Sequence, residues 1–283
     1  MYQFPIGVML DSFKLETNEA IKKAAAIGAK GVQMYATRGE HAPENMSASA
    51  RKELLDRMKS SGLVFSALCG DMGMGFWNPE KNPMLIEKSK RILDLAKELE
   101  CDIVTTHIGV VPEDKNHPRY QIMLEACGEL CRYADSMNSH FAIETGPETS
   151  LTLKGFLDNL GSNGVAVNMD PANLVMVTGD DPVQGVYNLK DYIVHTHAKD
   201  GIKLCESDPE IIYGMKVIED VIEEGEVFRE VPLGQGSVPF EGYLKALEDI
   251  GYRGFLTIER EVGEDPAKDI ALAAEFLRMQ MNK

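Results

Sequence analysis

The sequence predicts a single (β/α)8 barrel domain over residues 1–283, with an insertion after the seventh strand. Three observations carry that prediction. Eight short runs rich in Val, Ile, Phe and Thr alternate with longer helical patterns along the whole chain, as buried parallel strands and their crossover helices do. The strand–helix unit recurs roughly every 30 residues, the length of a right-handed βαβ unit. No GxGxxG or Walker loop follows the first run, which disfavours the runner-up, a doubly wound open sheet.

The first strand is FPIGVM from Phe4. The helix after it can be capped by Thr17 or Asn18, turns Ala20, Ile21, Ala24, Ala25 and Ile27 inward, and stops at Gly28. KGVQMY from Lys30 is the second strand; Ser47 or Ser49 can cap the next helix, which carries Leu54, Leu55 and Met58 on one side and ends at Gly62. LVFSALCG from Leu63 is the third strand, and FWNPEKNP after it is a short insertion. DIVTTHIG from Asp102 and HFAIETG from His140 are the fourth and fifth strands, and the SNG stop at Ser162–Gly164 leads into the sixth, VAVNMD from Val165. YIVHTH from Tyr192 is the seventh, and GYRG at Gly251–Gly254 opens the eighth, GFLTIE from Gly254. Between these two lies Gly201–Gly236, with a helix expected from Pro209 to Glu224 and then VPLGQGSVPF. A connection this long after a barrel strand is expected to cover the site and help select the substrate, or to form a subunit contact.

Charge narrows the function. Lys plus Arg total 29 against 45 Asp plus Glu, a formal net charge of −16, which repels phosphate backbones and anionic lipid, so neither a nucleic-acid nor a membrane partner is expected. No apolar run approaches the roughly 18 residues of a membrane helix. The first residues lack the basic stretch of a signal peptide. Cys69, Cys101, Cys127, Cys131 and Cys205 are odd in number and scattered, with no CxxC, so free thiols in a reducing cytoplasm are expected, with Cys127 and Cys131 as packing residues on one helix face.

The strand ends carry the chemistry. The fifth strand ends in Glu144, the sixth in Asp170, the seventh carries His195 and His197, and the eighth ends in Glu259. In a closed barrel these strands are neighbours roughly 5 Å apart, so three carboxylates and an imidazole converge. Unpaired carboxylates in an apolar mouth repel one another, and one divalent cation resolves the repulsion. The donor set suits Mn²⁺, Mg²⁺, Co²⁺ or Zn²⁺, and the dominance of oxygen tilts the choice to Mn²⁺.

The chain resembles the sugar phosphate isomerase/epimerase group of xylose isomerase-like barrels, which includes tagatose and allulose epimerases, inosose-processing enzymes and, more distantly, AP endonucleases. AIETG, NMDPAN, HTHAKD, PLGQG and GYRGFLTIERE carry the resemblance, which covers essentially the whole chain. It implies a metal held by Glu144, Asp170, His197 and Glu259, with His197 preferred over His195 because the family ligand precedes an x-(Lys/Asn)-Asp pattern. It also implies Glu144 and Glu259 as the acid/base pair, acting on a keto sugar or keto-glycoside through an enediolate, and a homodimer or homotetramer. Two positions depart from the pattern. Asn173 stands where some members hold the substrate with His, and Lys203 where some carry Arg; both can still hydrogen-bond.

Further substrate contacts are expected from His107 at the end of the fourth strand, from His195, which shares a strand face with His197, and from Trp77 with Phe76 as an apolar wall. Lys199 is expected either to meet a substrate oxygen or to pair with a metal ligand. The acidic run Glu219–Glu226 reads as a solvated helix face. The same chemistry can epimerise, isomerise, or eliminate, so a metal-dependent lyase (dehydratase or 3-keto-glycoside β-elimination) is the alternative. A repair nuclease is disfavoured by the charge and by only 6 histidines, and a non-catalytic barrel by the complete ligand set. No Gly-rich phosphate cradle is evident after strand seven or eight, which favours an unphosphorylated substrate.

Overall fold

A computed structural model of the chain describes residues 2–216 and 226–283. Its strands are β1 (Ile6–Met9), β2 (Gly31–Tyr35), β3 (Val64–Cys69), β4 (Ile103–Thr106), β5 (His140–Glu144), β6 (Val165–Met169), β7 (Ile193–Ala198), β8 (Asp200–Lys203), β9 (Phe228–Val231) and β10 (Leu256–Ile258). All but β8 and β9 close into one parallel barrel in the order β1-β10-β7-β6-β5-β4-β3-β2. Each barrel strand falls within one of the eight apolar runs read from the sequence, except that β7 runs one residue past YIVHTH to Ala198. Residues such as Val8, Val32, Leu68, Val104, Ile143 and Val167 are buried, because a parallel strand is covered on both faces.

The helices α1 (Thr17–Ala26), α2 (Ala48–Ser60), α3 (Asn82–Glu98), α4 (Pro118–Ser136) and α5 (Ser150–Leu157) alternate with the first strands. After β6 come one turn, α6 (Pro171–Asn173), and a π-helical turn over Leu174–Thr178; then α7 (Pro182–Asn188), α8 (Pro209–Ile212), α9 (Phe240–Asp249) and α10 (Pro266–Met281). Ser47 caps α2 as expected, its Oγ accepting the Ala50 N–H at 3.2 Å. The first helix differs: Glu16 holds the cap position without a side-chain bond, and the Thr17 hydroxyl donates to Glu40 instead (2.8 Å). Gly28 and Gly62 end α1 and α2 with φ of +76° and +72°, a conformation that favours glycine. Cys127 and Cys131 pack in the core face of α4, and the five cysteines are free. Among the described residues, no helix is long and apolar enough to cross a membrane.

The insertion begins one residue earlier than the sequence suggests. β8 leaves β7 almost at once and pairs antiparallel with β9, from Asp200 opposite Val231 to Lys203 opposite Phe228. Of the helix expected from Pro209 to Glu224, only α8 forms among the described residues, and 217–225 lie outside them. The acidic run likewise falls outside except for Glu226, which is exposed and pairs with Arg229 (2.6 Å). Two irregularities matter for the site. The register slips between Val32 and Gln33 and between Val167 and Asn168, in each case just before a polar residue in an otherwise apolar strand.

Candidate metal centre and cavity

Each expected ligand leaves the C-terminal end of a barrel strand, where this fold assembles its chemistry. Glu144 ends β5, Asp170 follows β6, His197 is next to last in β7, and Glu259 follows β10. Asp170 is fixed by two jobs: its Oδ1 accepts the Asn173 N–H that opens α6 (2.9 Å), and its own N–H donates to Thr145 Oγ1 (2.8 Å). All four residues are buried, and one donor atom of each lies within 4.8 Å of the others. His197 Nδ1 stands 3.1 Å from Asp170 Oδ2, 3.4 Å from Glu259 Oε2 and 3.5 Å from Glu144 Oε1. Ligand atoms sharing one ion at about 2.1 Å stand roughly 3–4 Å apart, so a single divalent cation fits this donor set.

The imidazole is also turned correctly. His197 Nε2 lies 2.8 Å from Gln33 Oε1, an acceptor, so Nε2 carries a proton and Nδ1 faces the three carboxylates. Gln33 is held in turn by donating to Thr105 Oγ1 (2.9 Å). Asn168 Nδ2 donates to Glu144 Oε2 (2.9 Å), which leaves Asn168 Oδ1 to accept from His195 Nδ1 (2.8 Å). His195 Nε2 then accepts from Thr257 Oγ1 (2.9 Å). With both nitrogens engaged, His195 belongs to a polar layer beneath the ligands and does not line the cavity, contrary to the substrate contact expected of it. Burial and the neighbouring His197 push its pKa down to about 3, so this layer is neutral.

Without a cation the cluster shares protons. Burial opposes charge on His197, but Glu259, Glu144 and Asp170 outweigh it and hold the imidazole well above its ordinary range. Burial raises Glu259 to about 7 despite Lys199 and His197. Burial acts the same way on Glu144, but His107, His197 and Lys199 overcome it and hold that carboxyl below the ordinary range.

A cavity of about 660 Å³ opens over the ligands, with Tyr35, Asp71, His107, Asn173, Lys199 and Tyr213 in its wall. His107 Nδ1 is 3.1 Å from Asp71 Oδ2, while Nε2 is 3.7 Å from Glu144 Oε1 and has no hydrogen-bond partner among the described residues. Burial opposes the His107 charge, but Glu144 and Asp71 lift its pKa to about 9. Asn173 Nδ2 donates to Glu144 Oε1 (3.2 Å). Lys199 takes the second of its two expected roles: Nζ donates to Glu259 Oε2 (3.0 Å) and Glu261 Oε2 (2.5 Å).

Besides His195, Lys203 and the expected Trp77–Phe76 wall do not reach the cavity. Lys203 sits on β8 and donates to Glu206 (2.7 Å). Trp77 is half-buried outside the wall, and Phe76 packs edge-on against Phe141 in the core (6.0 Å, 79°). The aromatic surface comes instead from Tyr35 at the end of β2 and from Tyr213 and Phe228 of the insertion. Tyr213 lies against His107 with ring centroids 5.2 Å apart. Gln33 and Asn168 were readable in principle as lone polar residues inside apolar strand runs. Tyr213 carried no such signal.

The family model described as a xylose isomerase-like TIM barrel matches residues 21–280. A putative L-ribulose-5-phosphate 3-epimerase of Escherichia coli K12 is 25% identical over 248 residues, covering 84% of this chain and 81% of that protein. Among solved structures, a xylose isomerase domain protein from Planctomyces limnophilus superposes with a TM-score of 0.78 at 24% identity, covering 98% of this chain and 96% of that one. A D-psicose 3-epimerase from Clostridium cellulolyticum H10 does so at 0.73 and 14%, covering 98% and 99%. With a family model spanning nearly the whole length and a closed parallel barrel around the four strand-end candidate ligands, the chain belongs to the xylose isomerase-like TIM-barrel family.

Proposed function

We propose that the protein is a divalent-metal-dependent sugar isomerase or epimerase that moves a proton at the carbon beside the carbonyl of a keto sugar or keto-glycoside. The observation that carries this reading is the pair Glu144 and Glu259. Both line the cavity, they arrive from strands separated by β6 and β7, and their surroundings push their proton affinities apart. A pair tuned in this way suits one carboxylate to take a proton and the other to return one, which inverts the carbon when the two act on opposite faces. A divalent cation, for which Mn²⁺ is the best match, would be held by Glu144, Asp170, His197 and Glu259 and would supply Lewis-acid stabilisation of charge developing on the substrate oxygen. In this reading His107 Nε2 and the Asn173 amide, both at the cavity wall, hold substrate hydroxyls. The relatives named as L-ribulose-5-phosphate and D-psicose 3-epimerases support the same reaction class.

The test is incubation of the Mn²⁺-loaded protein with keto sugars and 3-keto-glycosides in D₂O. Deuterium should enter at the carbon beside the carbonyl. Glu144→Gln and Glu259→Gln should each slow exchange by on the order of 10²-fold or more, with metal content measured alongside. Near-wild-type exchange in both variants would remove the two-carboxylate mechanism. Products that have lost water or an aglycone would move the reading to a lyase.

A further inference from the structure

We propose that Thr257, His195 and Asn168 form one positioning relay, which holds Glu144 by a single oxygen and so presents the other, Oε1, to the cavity. It goes beyond the isomerase reading, and only its kinetic test rests on that reading. Donors and acceptors can be matched one by one here because the groups are buried: Asn168, His195 and Thr257 are each 0% exposed. A carboxylate oxygen accepts, so the Asn168 amide turns its NH2 toward Glu144 Oε2 (2.9 Å). That orientation sets the amide oxygen against His195 Nδ1 (2.8 Å), which therefore carries a proton. At the far end the Thr257 hydroxyl abuts the backbone of Gly7, where a Cβ would lie 2.7 Å from Oγ1. Among the described residues its hydrogen-bond partner is His195 Nε2 (2.9 Å). A buried hydroxyl keeps its proton on a partner, so Thr257 donates and Nε2 is bare. All three bonds thus run in one direction, from Thr257 toward Glu144. No member can turn round without setting two donors or two acceptors against each other.

The backbone brings these residues into line. Glu144 stands opposite Asn168 in the β5–β6 pairing, and Asn168 stands opposite His195 in β6–β7. The second match depends on the register slip. Val167 faces Ile193, so regular pairing would set Asn168 opposite Val194. The slip passes over Val194 and gives Asn168 the histidine instead, as irregularities beside active sites commonly re-aim a side chain. Thr257 completes the row from β10, the strand that Glu259 follows. The consequence falls on Glu144. Its Oε2 is tied into the layer, while Oε1 lies 3.2 Å from Asn173 Nδ2, 3.5 Å from His197 Nδ1 and 3.7 Å from His107 Nε2. Oε1 is the oxygen offered to a cation or to substrate. None of the three relay residues lines the cavity, so they act only through Glu144. His195 thereby has a task in place of the substrate contact that the sequence suggested.

The experiment reads the relay directly. Nitrogen-15 spectra of the metal-free protein labelled at histidine, with His195→Gln to assign the signals, report the proton on each ring nitrogen of His195. Wild type and Thr257→Ser should show Nδ1 protonated and Nε2 bare. Thr257→Val keeps the shape but removes the donor, so the two tautomers should mix. Competition of Mn²⁺ against a chelating dye should give a Kd roughly tenfold weaker in Thr257→Val and on the order of 10- to 100-fold weaker in Asn168→Ala, with Thr257→Ser restoring the affinity. In deuterium exchange at saturating metal, kcat should fall in the same order with KM little changed, because no relay residue touches substrate. A wild-type His195 protonated on Nε2 would overturn the proposal. So would a folded Thr257→Val with wild-type tautomer and Kd, or a Thr257→Ser as impaired as Thr257→Val, which would make the role one of packing. Should Thr257→Val fail to fold, the wild-type spectrum and the Asn168→Ala affinity decide. Exchange with no sugar would count against the isomerase reading, and the spectra and the Kd would still decide the relay.

Discussion

Gln33 lies on β2, far in sequence from every ligand, yet it should control metal affinity. Its Oε1 accepts the Nε2 proton of His197 and so leaves Nδ1 for the cation. In Gln33→Leu that acceptor is gone. The next polar atom is Asn168 Nδ2 at 3.3 Å, itself a donor committed to Glu144, so it cannot replace the glutamine oxygen. Binding an ion through Nδ1 then leaves the Nε2 proton buried with no acceptor, a cost that the glutamine oxygen removes in the wild type. Losing a partner of this kind typically weakens metal binding 10- to 100-fold, about 1.4–2.7 kcal/mol. At a free Mn²⁺ concentration of 100 times the wild-type Kd the ion stabilises the fold by about 2.7 kcal/mol, and a site thirtyfold weaker keeps only roughly 0.9 kcal/mol. Competition of Mn²⁺ against a chelating dye gives the Kd, and Tm with and without metal gives the linked stabilisation. Gln33→Glu keeps an acceptor at the same place and should hold the ion far better than Gln33→Leu. Equal affinity in wild type and a folded Gln33→Leu would refute the reasoning.

Metal uptake should release protons, since His197 and Glu259 hold them in the metal-free cluster near neutral pH; affinity should rise from pH 6 to 8, with about one to two protons released per ion by calorimetry in two buffers, and zero release would contradict it. Glu148 is buried, accepts the Val111 N–H (3.0 Å), and is raised by burial to about 8. The folded state therefore binds the extra proton, so stability is greatest in acid and falls as pH rises from the ordinary carboxylate range through about 8. Between pH 6 and 9 this loss is on the order of 2 kcal/mol by urea unfolding, and Glu148→Gln should flatten it; parallel pH profiles would refute the assignment. Asp200→Ala strands four backbone donors and should cost about 3–5 kcal/mol in the same assay, whereas a loss under about 1 kcal/mol would mean the loop re-forms without the carboxylate.

The barrel was legible because buried parallel strands are nearly continuous apolar runs, and eight of them survive as distinct signals. The candidate metal cluster was legible because Glu144, Asp170, His197 and Glu259 all fall where such a run ends. The supporting layer was harder to read. Gln33 and Asn168 interrupt GVQMY and VAVNM, but their partners lie across a closed barrel, and a register slip precedes each of them. Lys203 and Trp77 missed the cavity for a different reason. A loop or hairpin has no period from which to read where a side chain points, and antiparallel pairing with β9 set the course of β8. PLGQG was recognisable as a motif, but its occupant, Asp200, comes from the start of the opposite arm of the insertion, so an acidic residue and a glycine loop did not read as one unit.

The closing strand, β10, hydrogen-bonds β1 on one side and β7 on the other, and Glu259 follows it directly. On the ribosome, Glu144, Asp170 and His197 are all made well before Glu259, so a nascent chain cannot hold the ion with its full ligand set. A cation at this site would therefore be a late partner in biogenesis, one that selects completed barrels from those still open. Metal added during refolding should leave the early steps unchanged and chiefly slow unfolding. A chain halted before β10 would keep three of the four ligands and expose the edges of β1 and β7 to other chains, which makes incomplete synthesis a hazard of aggregation as well as of lost activity.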